Sequence, residues 1–153
     1  MVEIRRGGPD DLKTLSMLRA RMFATFYDTD PQTLAAADQD FFLSAMSRGD
    51  AAFWLAEDEA RAVACGALSL YHLPPKPFSL KTPYAYLSSM WTEPEYRRQG
   101  VGRQIMELAV EFARQCGASH LSLHSTEAGR SVYSRFGFDP TNEMRLPLLI
   151  ESE

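Results

Sequence analysis

The sequence predicts an α/β domain built on a mixed, mostly antiparallel sheet with helices on both faces. Three observations lead there. Helical and strand-like periodicities alternate along the chain in the order β-α-α-β-β-β-α-β-α-β-β, which makes about seven strands and four helices. The middle of the chain holds three successive strand-like runs with no helical pattern between them. The segment Tyr84 to Cys116 then reads strand, Gly-rich turn and amphipathic helix. The 153 residues, 45% apolar and 24% charged, suit a single domain over residues 1–153 with a substantial core.

Taken in order, Val2 to Arg6 is a short edge strand. Gly7-Gly8-Pro9-Asp10 opens a helix in which Leu12, Leu15, Leu18, Met22 and Phe26 recur at helical spacing. Asp30 as N-cap and Pro31 at the first helical position start a second helix. Its apolar face is Leu34, Phe41, Phe42, Ala45 and Met46, and Gly49 closes it. Ala51 to Ala56 and Ala62 to His72 are strands joined by the charged turn Glu57 to Arg61. Gly66 predicts a bulge or a close approach to the backbone. Leu73 to Pro83 holds Pro74, Pro75, Pro77 and Pro83 and must be irregular. Tyr84 to Thr92 is a strand that Glu93-Pro94 breaks. Val101, Ile105, Leu108, Ala109 and Phe112 mark a helix that runs to Cys116 and ends at Gly117. Ala118 to His124 is the next strand. Glu127 to Phe136 is a short helix closed by Gly137, and Phe138 with Met144 to Ile150 supplies a last hairpin.

Composition narrows the function. No apolar run approaches the roughly 20 residues of a membrane span. Met1 to Arg6 has charges but lacks the apolar stretch of a secretory signal. A cytoplasmic protein with no membrane partner is expected. Cys65 and Cys116 form no disulfide framework and read as reduced thiols. His72, His120 and His124 share no metal-ligand spacing, so no metal is expected. The net charge of −4 argues against nucleic acid and suits a cationic or amine partner.

The chemistry-bearing stretch is Arg97-Arg98-Gln99-Gly100-Val101-Gly102-Arg103. Gly100 and Gly102 leave the backbone bare to a ligand. The first N–H groups of the following helix have no partner inside it, and its dipole is positive at that end. With three arginines alongside, this is a phosphate site. A P-loop would require Lys-Ser or Lys-Thr after the second Gly, where Arg103-Gln104 stands, and a dinucleotide fingerprint would require Gly where Ile105 stands. The pattern Arg/Gln-x-x-Gly-x-Gly/Ala, met by Arg97, Gly100 and Gly102, resembles the pyrophosphate-binding signature of the GNAT superfamily of acyl-CoA-dependent N-acyltransferases.

A second stretch carries the same resemblance. Val132-Tyr133-Ser134-Arg135-Phe136-Gly137-Phe138 is similar to the family's apolar-Tyr-polar-polar-apolar-Gly-Phe run, and its small residue one turn earlier is Gly129. Where the family often has Asn, this chain has Thr126, on a strand–helix loop one residue short. The element order agrees from end to end, and so does the close, Thr141 to Leu146.

The resemblance implies a GNAT fold with its sheet splayed at the cofactor slot. It implies acetyl transfer from acetyl-CoA to a primary amine by direct attack in a ternary complex. The cofactor-binding residues it assigns are Met90, Trp91, Thr92, Arg97, Arg98, Gln99, Gly100, Val101, Gly102, Arg103 and Gly129. Pantetheine would lie along the strand like an added strand, and a main-chain N–H at Met90 would polarise the thioester carbonyl. Tyr133 matches the family's general acid, which protonates the leaving thiolate. Some members carry a Glu early in that strand as base; the position here is Tyr86. His124, His72, Glu93 and water chains anchored by Ser88 and Ser89 are the candidates left.

The acceptor, a small-molecule or peptide amine, is expected near Phe26, Tyr27, Asp28, Asp30, Trp91 and the loop around Phe78, where aromatic walls and carboxylates suit a cation. A homodimer stays open. So does a reading of a different class, in which the missing Glu marks a catalytically silent acyl-CoA-binding module.

Overall fold

The structure is a computed structural model, which describes residues 1–80 and 82–149. Two compact units make up the chain, Met1–Leu123 and the residues from His124 onward.

The first unit carries the sheet. Its strands are β1 (Val2–Arg6), β2 (Ala51–Asp58), β3 (Arg61–Tyr71), β4 (Tyr84–Thr92) and β5 (Leu121–Ser122), and they lie side by side in that order. β1 to β4 are antiparallel neighbours, and β5 joins β4 in parallel. The helices are α1 (Leu12–Ala24), α2 (Pro31–Ser47) and α3 (Val101–Gln115), with single 3-10 turns at Pro9–Asp11 and Pro94–Tyr96. The second unit contains α4 (Arg130–Phe136). The mixed, mostly antiparallel sheet and the four helices are as expected.

Residues Ala51 to Ala56 of β2 are all buried, because helices cover both faces of the sheet. On one face Leu12, Leu15 and Leu18 of α1 and Phe42 and Ala45 of α2 pack on Phe53, Leu55, Cys65 and Ala67. On the other face the α3 ring of Phe112 stands edge-on to Trp54, 5.9 Å between centroids. Asp30 caps α2 as expected, accepting from the N–H groups of Gln32 and Thr33. Asp11 ties the start of α1 to β1 through a two-pronged pair with Arg5 at 2.9 and 2.8 Å. That guanidinium holds the Asp11 carboxyl at about 2.

The sheet has five strands among the described residues, where about seven were expected. The strand over Ala118 to His124 shrinks to Leu121–Ser122. The last hairpin does not form over residues 138–149, and Ile150 lies outside the described residues. Met144, Leu146, Leu148 and Leu149 are exposed. Pro147 removes a ladder donor, and the Leu148-Leu149 pair breaks the alternation that a half-buried strand requires. In α3, Met106 is buried and Leu108 is exposed, so the apolar face is turned slightly from the expected one.

Gly66 is a close-approach glycine. A Cβ there would lie 2.6 Å from Met90 Sδ and 2.6 Å from Ile105 Cγ2. β3, β4 and α3 therefore meet without spare room, and Gly66→Ala should destabilise the protein by roughly 1–3 kcal/mol. Urea denaturation reads this as a lower midpoint at unchanged slope. An unaltered midpoint would show that the three elements are not tightly packed there.

Candidate functional site

The strand feeding the glycine-rich turn is irregular where the resemblance puts the reacting group. Across β3 and β4, Cys65 pairs with Trp91 but Ala67 pairs with Ser88, so β4 carries one extra residue opposite Gly66. This is a bulge. The irregularity expected at Gly66 thus lies on the partner strand. Ser89 takes up the extra length with φ of +61°, the left-handed region that costs a non-glycine residue about 1–2 kcal/mol.

The bulge aims a peptide. The carbonyl oxygen of Ser89 accepts from the Cys65 thiol at 3.1 Å. Burial pushes that thiol up to about 12, so it keeps its proton and can donate. A trans peptide is planar, so the N–H of Met90 points opposite to the Ser89 carbonyl, away from β3. On that side β5 pairs only at Ala85–Leu121 and Tyr86–Ser122. Beyond Tyr86 no strand borders the outer edge of β4 among the described residues. An open main-chain edge with an outward N–H is what an extended ligand needs to add itself as a strand.

The bulge is also held from the α1/α2 face. Arg19 of α1 donates from Nη1 to Ser89 Oγ and from Nε to Asp38 Oδ2 of α2 at 3.1 Å. Neither Arg19 nor Asp38 is among the site residues expected above. Their signal was present in the helical spacing. Arg19 lies one turn past Leu15 and Asp38 one turn past Leu34, so each is a charge within an apolar stripe.

Past Thr92 the chain turns through Pro94–Tyr96 to the start of α3. Arg97 folds back, donating from Nε to Thr92 O at 2.9 Å, with its guanidinium carbon 4.8 Å above the Trp91 ring. Gln99 Nε2 donates to Glu95 O at 3.1 Å. Arg98 and Gly100 both have positive φ, +62° and +82°. Gly100 is the N-cap of α3 and has no capping side chain, and no acidic residue stands in the first turn. Gln104 N donates to Gly100 O at 3.0 Å, the bond that opens the helical ladder. The N–H groups of Val101, Gly102 and Arg103 are therefore beyond intrahelical partners. A Cβ on Gly102 would meet only Thr92 Oγ1 at 3.8 Å, an ordinary contact, so the protein itself does not demand glycine here. The space stays clear above a helix end suited to an anion. Arg103 pairs with Glu107 one turn on. These residues fit the pyrophosphate of CoA.

In the second unit, Thr126 Oγ1 accepts from Gly129 N at 3.1 Å and so orders the entry to α4. A Cβ on Gly129 would come within 3.3 Å of both Thr126 Oγ1 and the Tyr133 ring. Tyr133 is half-buried against Phe138 at 5.8 Å, and burial raises its pKa above the ordinary phenol value. His124 Nε2 lies 2.7 Å from Arg145 Nη2 and 3.5 Å from Glu143. Its lone pair at that nitrogen faces a guanidinium.

The other candidates are also engaged. Glu93 is buried, and its carboxylate accepts from Arg21 of α1. His72 is exposed beside Thr82. Ser88 Oγ is 3.4 Å from the Ser89 hydroxyl that Arg19 holds. Of the expected acceptor residues, Phe26, Tyr27 and Phe78 are exposed, and Asp30 is committed to its cap. No cluster of three or more His, Cys, Asp or Glu suited to a metal occurs among the described residues, and no described helix is long and apolar enough to cross a membrane.

An open strand edge leading into an uncapped helix N-terminus suits an extended ligand that carries an anionic group. Residues 15–138 match the family model described as Acetyltransferase (GNAT) family, and the chain belongs to that family. It is 32% identical to the uncharacterized N-acetyltransferase YsnE of Bacillus subtilis over 91 residues, which cover 56% of this chain and 54% of that one. The chain spans about half the length of the curated relatives it matches. A GCN5-related N-acetyltransferase structure from Ralstonia eutropha superimposes with a TM-score of 0.82 at 29% identity, covering 97% of this chain and 99% of that one. A predicted acetyltransferase from Clostridium acetobutylicum, solved with acetyl-CoA, shares the fold with a TM-score of 0.89 at 23% identity and 97% coverage of both chains.

Placing a carboxylate at the α3 end should repel the ligand and fill its space. Gly102→Asp is expected to reduce CoA affinity at least about a hundredfold while the fold persists. Calorimetric titration of the folded variant checks this, and parental affinity would remove the pyrophosphate assignment.

Proposed function

We propose that this chain is a single acetyltransferase domain that moves an acetyl group from acetyl-CoA to a primary amine by direct attack in a ternary complex. The observation that carries the reading is the junction of the β4 edge with the α3 N-terminus. An outward N–H at Met90 and three uncapped N–H groups lie at the two ends of one short connection. The family match running across both units supports treating them as one domain.

When bound, acetyl-CoA supplies an activated acyl group and a thiol leaving group. The residues of this chain do the rest. The amides of Val101 to Arg103 hold the pyrophosphate, assisted by the helix dipole and by Arg98 and Arg103. Arg97 braces the turn against Thr92 and Trp91. The β4 edge from Met90 to Thr92 aligns the pantetheine arm. Met90 N–H donates to the thioester oxygen as it gains negative charge; a fixed donor of this kind contributes about 10²–10³ in rate. Tyr133 donates its phenolic proton to the departing sulfur. A raised pKa keeps that proton in place at neutral and mildly alkaline pH. Thr126, through Gly129, orders the helix that carries Tyr133.

The carboxylate and the imidazole nearest that role are held by neighbours. Glu93 is ion-paired, His124 faces Arg145, and Tyr86 stands where some relatives keep Glu. The reaction then draws on the free-amine fraction of the acceptor or on a water relay past Ser88. The acceptor is a cationic amine with an apolar body, met by Phe26, Tyr27 and Asp28.

The direct test is release of free thiol from acetyl-CoA across a panel of primary amines. Multiple turnover with at least one amine supports the enzyme. Tight CoA binding without turnover on a broad panel supports the silent module instead. Tyr133→Phe should lower kcat by roughly 10²-fold and leave CoA affinity little changed; equal kcat would reduce Tyr133 to a packing residue.

The pH dependence follows from the two protons. For an acceptor with a Lys-like pKa near 10.4, the free form rises about tenfold per pH unit, and kcat/KM should climb with it through the neutral range. Because the Tyr133 pKa is raised, no descending limb is expected below about pH 10. A plateau common to every acceptor that disappears in His124→Ala would instead make His124 the base.

A further inference from the structure

The buried Asp38–Arg19–Ser89 chain runs from α2 through α1 to the residue that precedes Met90 in β4. Arg19 and Asp38 come from different helices, with side chains only 16% and 6% exposed. Arg19 also lies over two rings, 5.2 Å from the Phe23 centroid and 5.7 Å from that of Phe42. A fork-shaped donor in this setting has one geometry. Its Nε is fixed by Asp38, so its Nη1 meets Ser89 Oγ at a fixed place. Ser89 is 5% exposed and is the residue with φ of +61° that makes the bulge. Its backbone oxygen is held by Cys65 and its side chain by Arg19, from the same face of the sheet. The peptide that leaves Ser89 ends in the N–H of Met90.

We infer that Arg19, oriented by Asp38, is a positioning residue for acetyl transfer, which acts through Ser89 to fix the direction of the Met90 N–H. Resting on the proposed role of that N–H, the inference adds a determinant on α1 and α2, outside the slot itself. An ordinary buried ion pair between two helices would have its second guanidinium arm satisfied anywhere; here the arm ends on the one strained residue of β4. Serine is suited to the position because its short hydroxyl reaches the guanidinium without the β-branch that positive φ disfavours.

The test is a cycle on kcat. Ser89→Ala removes the anchor and leaves the Arg19–Asp38 pair in place, so the fold is retained. Its kcat is expected to fall about tenfold or more, as displacement of a catalytic group by a fraction of an ångström to 1 Å does. KM for acetyl-CoA and the calorimetric Kd for CoA should stay within about twofold, because the α3 end is untouched. Arg19→Met should do the same, and the double variant should be no slower than the slower single, since both cut one chain. Parental kcat in Ser89→Ala, or losses that multiply in the double variant, would overturn the positioning role. Replacing Met90 by its α-hydroxy acid analogue, which exchanges the N–H for an ester oxygen, separates the two layers. A parental kcat in that ester variant overturns the donor reading and the inference with it. A slow ester variant beside a parental Ser89→Ala leaves the donor standing and overturns the inference alone.

Discussion

One extra residue in β4 governs the site. Without it, Ser89 and Met90 would alternate regularly with β3, and no peptide there would be turned by a left-handed residue. With it, the Ser89 carbonyl is spent on Cys65 and the Met90 amide is turned outward. A bulge of this kind survives only if its surroundings over-determine it. Gly66 supplies the room opposite, and Ile105 and Met90 fill that room from the α3 side. Cys65 and Arg19 grip Ser89 from the other side. The two helical layers thus converge on a single peptide unit.

The remaining elements place the ends of the slot. β5 is short, so among the described residues no strand borders β4 from Leu87 to Thr92 on that side. The Pro94–Tyr96 turn is anchored by Tyr96, whose hydroxyl donates to Asp58 at 2.7 Å, and by the Arg97 fold-back onto Thr92 and Trp91. These contacts fix where α3 begins relative to the strand edge. A ligand that spans from the edge to the helix end meets two rigid elements of one unit, which suits precise alignment of a reacting group.

Much of this was legible in the sequence, and the failures have physical causes. β4 was read with the bounds it has, because Pro83 and Pro94 delimit it. The α3 N-terminus was readable because Gly100 and Gly102 punctuate a strong helical period. The bulge was half visible: Gly66 signalled it, but a bulge belongs to a pair of strands and a sequence cannot say which of them holds the extra residue. β5 and the final hairpin were overdrawn, since apolar alternation such as Leu121 and Leu123 marks a propensity, whereas a strand exists only where a partner edge accepts it. Arg19 and Asp38 escaped notice because charges on helices are usually solvated. Their place within apolar stripes was the clue, and only their joint distance to Ser89 gives it meaning.

The junction of strand edge and helix end is tested most directly by amide exchange. In a ¹⁵N-labelled sample, the N–H groups of Met90, Gly102 and Arg103 should exchange freely without ligand and become protected together on saturation with CoA or acetyl-CoA. Acetyl-CoA should protect Met90 further than CoA does, because only the thioester offers a carbonyl to that N–H. Protection at the α3 end with no change at Met90 would contradict the alignment of the thioester on β4, and protection at neither would contradict the slot altogether.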